Sequence, residues 1–103
     1  MKPAQHEIEN RYVVSMVSAL YGAISPNLRA VTLSDATETA VTFHFLLGVD
    51  SQEDRDEIED ILFEFEALQN QAIDCTASVY VGQTFEHFKA LPGRGIFHRR
   101  EST

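Results

Sequence analysis

Apolar residues repeat along this chain with two different periods, and the order of those periods leaves few possible architectures. Near the N-terminus they recur at steps of three and four, as on one buried face of a helix: Ile8, Tyr12, Val13, Met16, Val17, Leu20 and Ile24. Ser25-Pro26-Asn27 ends this helix, because proline disfavours the helical conformation in the preceding residue. Over residues 29–34 and 39–47, apolar and polar residues alternate, which predicts two strands. The polar turn between them is short enough for a hairpin.

The second half of the chain is predicted to contain a second helix followed by two more strands. Ser51 is a good N-cap with Asp54 three residues later, and the helix after it is predicted to reach about residue 71. Its buried stripe is Ile58, Ile61, Leu62, Phe65 and Leu68. Residues 73–81 alternate as a third strand with Cys75, Ala77, Val79 and Val81 on one face, and residues 95–99 predict a short edge strand.

The connection at residues 82–95 carries a small apolar group, Phe85, Phe88 and Leu91. The sequence shows no linker or repeat, so residues 1–103 are interpreted as a single domain. The order α-β-β-α-β-β predicts an α+β fold in which two helices pack on one face of a small, mostly antiparallel sheet.

The negative charge of the chain is concentrated in one segment. The net charge is −8, and residues 50–66 hold nine acids and one base, Arg55, which gives −8 for that segment. The remaining seven acids and seven bases cancel. Such a surface repels nucleic acid and anionic membranes and attracts a basic protein surface. We therefore expect a protein partner, and neither nucleic acid nor a membrane.

The second helix is the strongest functional signal. On a helical wheel its acids lie on the flanks and on the face opposite the core, and Phe63 falls among them. An aromatic ring surrounded by carboxylates is typical of a binding hot spot. The candidate partner-binding residues are Glu53, Asp56, Glu59, Asp60, Phe63 and Glu64. The alternative interpretation is a solvated acidic face, with Phe63 covered by the C-terminal segment.

No catalytic or metal-binding pattern is evident in the sequence. Acids on a convex helix face do not converge on a substrate, and residues 50–66 lack the glycine and ligand spacing of a calcium loop. His6, His44, His87 and His98 have no metal-ligand spacing, and His44 is expected to be a half-buried or surface pair partner. Cys75 is expected to be an inert core thiol, which leaves His87, beside Glu86, as the histidine to test for acid–base chemistry. We predict no enzyme activity, no cofactor and no metal.

Cysteine content and hydropathy predict the compartment. One cysteine permits no intramolecular disulfide, so a reducing compartment, the cytoplasm, is expected. The N-terminal residues turn acidic before any apolar stretch, unlike a signal peptide, and no apolar run is long enough to span a bilayer. The basic group Arg94, His98, Arg99 and Arg100 is expected to pair with the acidic helix, within the chain or between subunits.

Several segments resemble a known group of proteins. These are residues 25–31 (Ser-Pro-Asn-Leu-Arg-Ala-Val), the aromatic strand 41–45, the helix opening Glu53-Asp54-Arg55, and the ending at residues 96–101. Together they resemble small acidic immunity proteins of bacterial contact-dependent growth inhibition and polymorphic toxin systems. The resemblance spans about residues 8–101, although the stretch before Gly95 is longer than that family suggests.

The resemblance implies a cytoplasmic antidote that binds the C-terminal domain of one cognate toxin. Many such toxins are nucleases, whose clefts are basic because they hold phosphates. The acidic helix would then imitate a nucleic-acid backbone or block the cleft. The alternative from another class is a self-associating adaptor or assembly domain without enzymatic activity, in which a homodimer forms through the acidic helix and the basic tail.

Overall fold

The computed structural model describes residues 4–82, 87–88 and 93–99, and it has the predicted element order. The elements are α1 (Gln5–Leu20), β1 (Leu28–Ser34), β2 (Ala40–Leu47), α2 (Gln52–Ala67), β3 (Asp74–Val81) and β4 (Arg94–His98). Both helices lie on one face of a four-stranded sheet, which confirms the predicted α+β architecture. No helix in the described ranges is both long enough and apolar enough to cross a membrane.

The sheet has the strand order β3-β2-β1-β4. β1 and β2 form the predicted antiparallel hairpin, and β1 also pairs antiparallel with β4. β2 and β3 pair in parallel, because α2 crosses over the sheet between them and returns the chain to the same end. Two of the three pairings are therefore antiparallel, and the predicted edge position of the last strand is confirmed.

The main core lies between the sheet and the two helices. β2 and β1 contribute alternate residues that are at most 2 % exposed: Val31, Leu33, Val41, Phe43, Phe45 and Leu47. Phe65 of α2 contacts Tyr12 of α1 and Phe43 of β2 edge-on, with ring centroids 5.8 and 4.8 Å apart. This aromatic trio joins both helices to the sheet.

The sequence analysis assigned three apolar residues to buried helix faces, and for these three residues the prediction is wrong. Val17 is 52 % exposed, Ile24 is 38 % exposed and Leu68 is 47 % exposed. Val17 lies on the outer side of α1, while Ile24 and Leu68 follow the last helical residues, Leu20 and Ala67. α2 thus ends four residues before the predicted end at residue 71.

The opposite face of the sheet carries a second, smaller cluster. Phe88, from the connection between β3 and β4, is 2 % exposed and packs with Ala30 and Leu46. Its ring meets Tyr80 edge-on at 5.6 Å. Phe85 and Leu91 lie outside the described residues.

Candidate partner-binding surface

The six residues predicted to bind a partner are all exposed on α2. We call Glu53, Asp56, Glu59, Asp60, Phe63 and Glu64 the acidic face. Phe63 is 75 % exposed, and Glu59 and Asp60 precede it by four and three residues, on the same side of the helix. The structure therefore places the ring among carboxylates on an outer surface.

Phe63 is exposed because the core already uses the opposite side of the helix. Phe65 follows it by two residues, a rotation of about 200° on a helix, and is 0 % exposed. β4 lies at the sheet edge remote from β3, on the side of α1. The alternative in which the C-terminal segment covers Phe63 is wrong for its described part, up to Arg99, since the ring stays largely exposed.

An apolar ridge on α1 was missed by the sequence analysis. Val14, Val17 and Tyr21 are 67, 52 and 91 % exposed and follow one another at steps of three and four. The two valines lie on the outer side of the helix, and Tyr21 is the residue directly after its end. We call these three residues the α1 ridge. Their spacing was visible in the sequence, but the stronger stripe through Tyr12 and Met16 concealed it.

The α1 ridge and the acidic face belong to the same outer layer. A surface groove of about 310 Å³ lies between the two helices. Tyr21 lines it on the side of α1, and Asp60 and Glu64 line it on the side of α2. The helices run antiparallel, since a second groove places Val14 beside Leu68, just beyond the end of α2. A partner resting on this layer would meet apolar side chains and carboxylates together.

The N-terminus of α2 is fixed by polar contacts. The Ser51 hydroxyl accepts a bond from the Asp54 amide at 3.2 Å, which confirms the predicted N-cap. The Asn27 side chain donates to the Asp54 carboxylate at 2.8 Å, and it bonds both backbone groups of Val49. The bond from Asn27, with help from Ser25, holds the pKa of Asp54 below its usual range. α2 is thereby held to the loop before β1.

Two described arginines of the basic C-terminal group, Arg94 and Arg99, bind outside α2. Arg94 lies 3.9 Å from Glu9 of α1. Arg99 donates to the carbonyls of Ser25 at 2.8 Å and Leu28 at 3.1 Å. The prediction that this group pairs with the acidic helix within the chain is therefore wrong for Arg94 and Arg99, because β4 lies beside α1; Arg100 lies outside the described residues.

Arg55, the base among the acids of residues 50–66, binds Asp50 at 2.7 Å, at the start of the helix. Neither member of this ion pair belongs to the acidic face.

His44 sits in a polar cluster on the face of the sheet without helices. Its Nε2 lies 2.7 Å from the Ser34 hydroxyl, and its Nδ1 lies 3.3 Å from the Tyr80 hydroxyl. Burial lowers the pKa of His44, although the nearby Asp35 carboxylate opposes that shift. His44 is thus half-buried and pairs with side chains of the neighbouring strands, as the sequence predicted. A tyrosine hydroxyl stands where a catalytic serine–histidine pair has a carboxylate.

Cys75 and His87 are the other two residues considered for chemistry. Burial, with a smaller contribution from the Glu66 carboxylate, raises the pKa of Cys75 to about 12, so the thiol is protonated at neutral pH. His87 is exposed, and its use in acid–base chemistry stays untested. Among the described residues, no group of three or more His, Cys, Asp or Glu side chains is placed to hold a metal ion.

The chain was compared with models of known protein families. A family model described as MafI2 immunity protein matches residues 9–101, almost the whole chain and nearly the range of the resemblance noted above. No curated protein matches the sequence.

Proposed function

The chain belongs to the MafI2 immunity protein family, and from that premise we propose that its acidic face binds and neutralises the C-terminal domain of one cognate toxin. The family accounts for the role of toxin neutralisation in a polymorphic toxin system. The choice of surface rests on the chain's own residues. The observation that carries it is the 75 % exposed ring of Phe63 among the carboxylates of α2.

The charge distribution favours a basic partner. Residues 50–66 carry the entire net charge of −8, so the negative potential of the molecule is centred on α2. A nuclease cleft is basic because it holds phosphates, and the acidic face would cover such a cleft or dock beside it. We therefore propose a nuclease as the toxin, and the cytoplasm as the compartment in which it is met.

We propose that the α1 ridge contributes the apolar contact area of the interface with the toxin, which the carboxylates of the acidic face do not provide. Charged residues at a rim mainly speed association and set orientation, whereas buried aromatic and aliphatic groups slow dissociation. Tyr21, Val17 and Phe63 together would form the apolar centre of an interface whose surround is acidic. Neutralising a toxin calls for nanomolar affinity, roughly −12 kcal/mol.

The test uses the C-terminal domain of the gene product encoded immediately upstream, titrated by calorimetry. Asp56→Lys/Asp60→Lys is expected to weaken binding by about tenfold or more, since it reverses two charges at the centre of the acidic face. Glu7→Lys/Glu38→Lys is the matched control, because it changes the net charge equally at exposed sites on α1 and in the turn between β1 and β2. Equal losses in both variants would show a general charge effect and contradict the proposed surface.

Self-association is the second outcome that the same samples report. If the chain does not bind the toxin domain and light scattering detects a salt-sensitive homodimer, the adaptor function is favoured. A monomer that binds the toxin domain would exclude it.

A further inference from the structure

β3 is a long sheet edge without the usual protection. Among the described residues it pairs with β2 alone, through eight residues and with no shift of register. After Asp74 it contains no charged residue and no proline. Natural edge strands are normally short, bulged, charged or covered, because open backbone groups recruit other strands. The edge at β4 follows that rule, with five residues, a register shift and Arg94.

The helix-facing side chains of β3 are less completely covered than those of β2. Residues of β2 that face the helices are at most 2 % exposed, as Phe43 and Phe45 illustrate. The corresponding residues of β3 also pack against the core, yet all are partly exposed: Cys75, Ala77, Val79 and Val81. One more strand beside β3 would complete their burial.

The hydrogen bonds to β2 identify which backbone groups of β3 point outward. The amides of Asp74 and Gly82 donate to the carbonyls of Thr39 and Leu47, at 2.8 and 3.1 Å. Since alternate residues of a strand direct their N–H and C=O groups to the same side, residues 74, 76, 78, 80 and 82 bond to β2. The same alternation directs the backbone groups of residues 75, 77, 79 and 81 toward the open edge.

Acids of α2 lie above this edge. α2 packs over β3, and its Glu66 carboxylate is close enough to Cys75 to influence the thiol. Glu59 lies two turns earlier on the same side of the helix, about 10 Å along the axis. Both residues are exposed. A strand added beside β3 would therefore run past two carboxylates with its helix-facing side chains.

We infer that β3 accepts an extended segment of the cognate toxin domain as a fifth strand, and that basic side chains of this segment meet Glu59 and Glu66. The inference rests on the proposed function and adds a second contact beside the acidic face, with Glu59 common to both. Main-chain bonds supply affinity in this mode, and alternate side chains supply specificity.

A second copy of the chain fits the edge less well. Pairing of two β3 strands would bring the α2 helices of both copies side by side, and each helix segment carries −8. Like charges at close range oppose that arrangement, whereas a basic segment is attracted. Because of this charge, a basic segment of the toxin is favoured over a second copy of the chain as the strand added beside β3.

Residue-resolved amide hydrogen exchange tests the inference. In the free chain, the outward amides of Cys75, Ala77, Val79 and Val81 are expected to exchange fast, and the amides bonded to β2 slowly. Saturation with the upstream-encoded toxin domain should slow the outward set by about 100-fold or more, as new main-chain bonds form. If a complex forms and the outward amides still exchange fast, this inference is overturned, whereas the proposed function stands. Absence of any complex would overturn both, and slow outward amides in the free chain would point to self-pairing and overturn the choice of occupant.

A proline variant gives a second, independent readout. Ala77→Pro removes an outward N–H and leaves every bond to β2, a position where edge strands tolerate proline. Ala77→Ser keeps that N–H at similar size and is the control. The proline variant should bind the toxin domain about tenfold or more weakly than the serine variant, while thermal melting confirms that both fold. Equal affinity of two folded variants would contradict the inference, and the exchange experiment decides the matter if the proline variant does not fold.

Discussion

Two phenylalanines on α2 offer a paired test of core against surface. Phe63 and Phe65 are separated by one residue, yet Phe63 is 75 % exposed and Phe65 is 0 % exposed. Truncation of each to alanine removes the same atoms from the same helix, with the same change in helix propensity. Any difference between the two variants therefore reports their surroundings.

Phe65→Ala is expected to destabilise the fold strongly. The ring contacts Tyr12 and Phe43 at centroid distances of 5.8 and 4.8 Å, so truncation leaves a cavity between both helices and the sheet. Such substitutions cost about 3–5 kcal/mol, out of a total stability of about 5–15 kcal/mol for a domain of this size. The variant should unfold at much lower denaturant concentration.

Phe63→Ala is expected to spare the fold and weaken toxin binding. Exposed positions usually change stability by less than about 0.5 kcal/mol. Full burial of a phenylalanine side chain is worth up to about 3 kcal/mol, and three-quarters of this ring is available for burial in a complex, which gives about 2 kcal/mol. That free energy corresponds to a rise in Kd of about 30-fold.

The two assays are urea denaturation and calorimetric titration with the upstream-encoded toxin domain. The predicted pattern is a stability loss confined to Phe65→Ala and an affinity loss in folded Phe63→Ala. A Phe63→Ala variant that binds as tightly as the unmodified chain would remove the ring from the interface. A loss of more than about 2 kcal/mol in its stability would contradict the exposed position itself.

Three further predictions concern titratable and anchoring groups. The pKa of His44 is lowered in the fold, so between that value and its ordinary value near 6.5 the unfolded chain binds more protons and stability falls as pH falls; His44→Asn should flatten this dependence in denaturation curves measured across that window. Cys75, with a pKa of about 12, should react with a maleimide far more slowly than a free thiol at pH 7.5, and fast labelling of the folded chain would contradict its burial. Asn27→Ala removes bonds to Asp54 and Val49 and should lower the free energy of unfolding by about 1–3 kcal/mol, whereas an unchanged midpoint would show that the N-terminus of α2 is held by other contacts.

The sequence predicted the elements whose apolar residues have one dominant period. The hairpin of β1 and β2 follows from alternation through Val31 and Leu33 and then through Val41 to Leu47, and α2 follows from Ser51 and the stripe ending at Phe65. These patterns are strong because one face of each element is buried in one core. They also fix the order of the elements, and hence the α+β class.

Periodicity could not separate the two apolar faces of α1. The spacing of Val17 fits the core stripe as well as the outer face on which it lies, and only the position of α2 decides which side of α1 is covered. The contact of Phe88 with Ala30 and Leu46 could not be predicted from the sequence either, because it depends on where the connection between β3 and β4 crosses the sheet. Tertiary packing decides both cases.

The exposure of Phe63 was predictable because Phe65 already occupied the core side of α2. The openness of β3 was not, because strand order is set by which strands pair and not by the sequence of one strand.

The most direct test of the central claim is the affinity of the unmodified chain for the upstream-encoded toxin domain, measured by calorimetry over a series of salt concentrations. The proposed acidic face predicts a nanomolar complex at low salt whose affinity falls steadily as salt is added, because the charges of residues 50–66 are progressively screened. A tight complex with no dependence on salt would contradict docking through the acidic face.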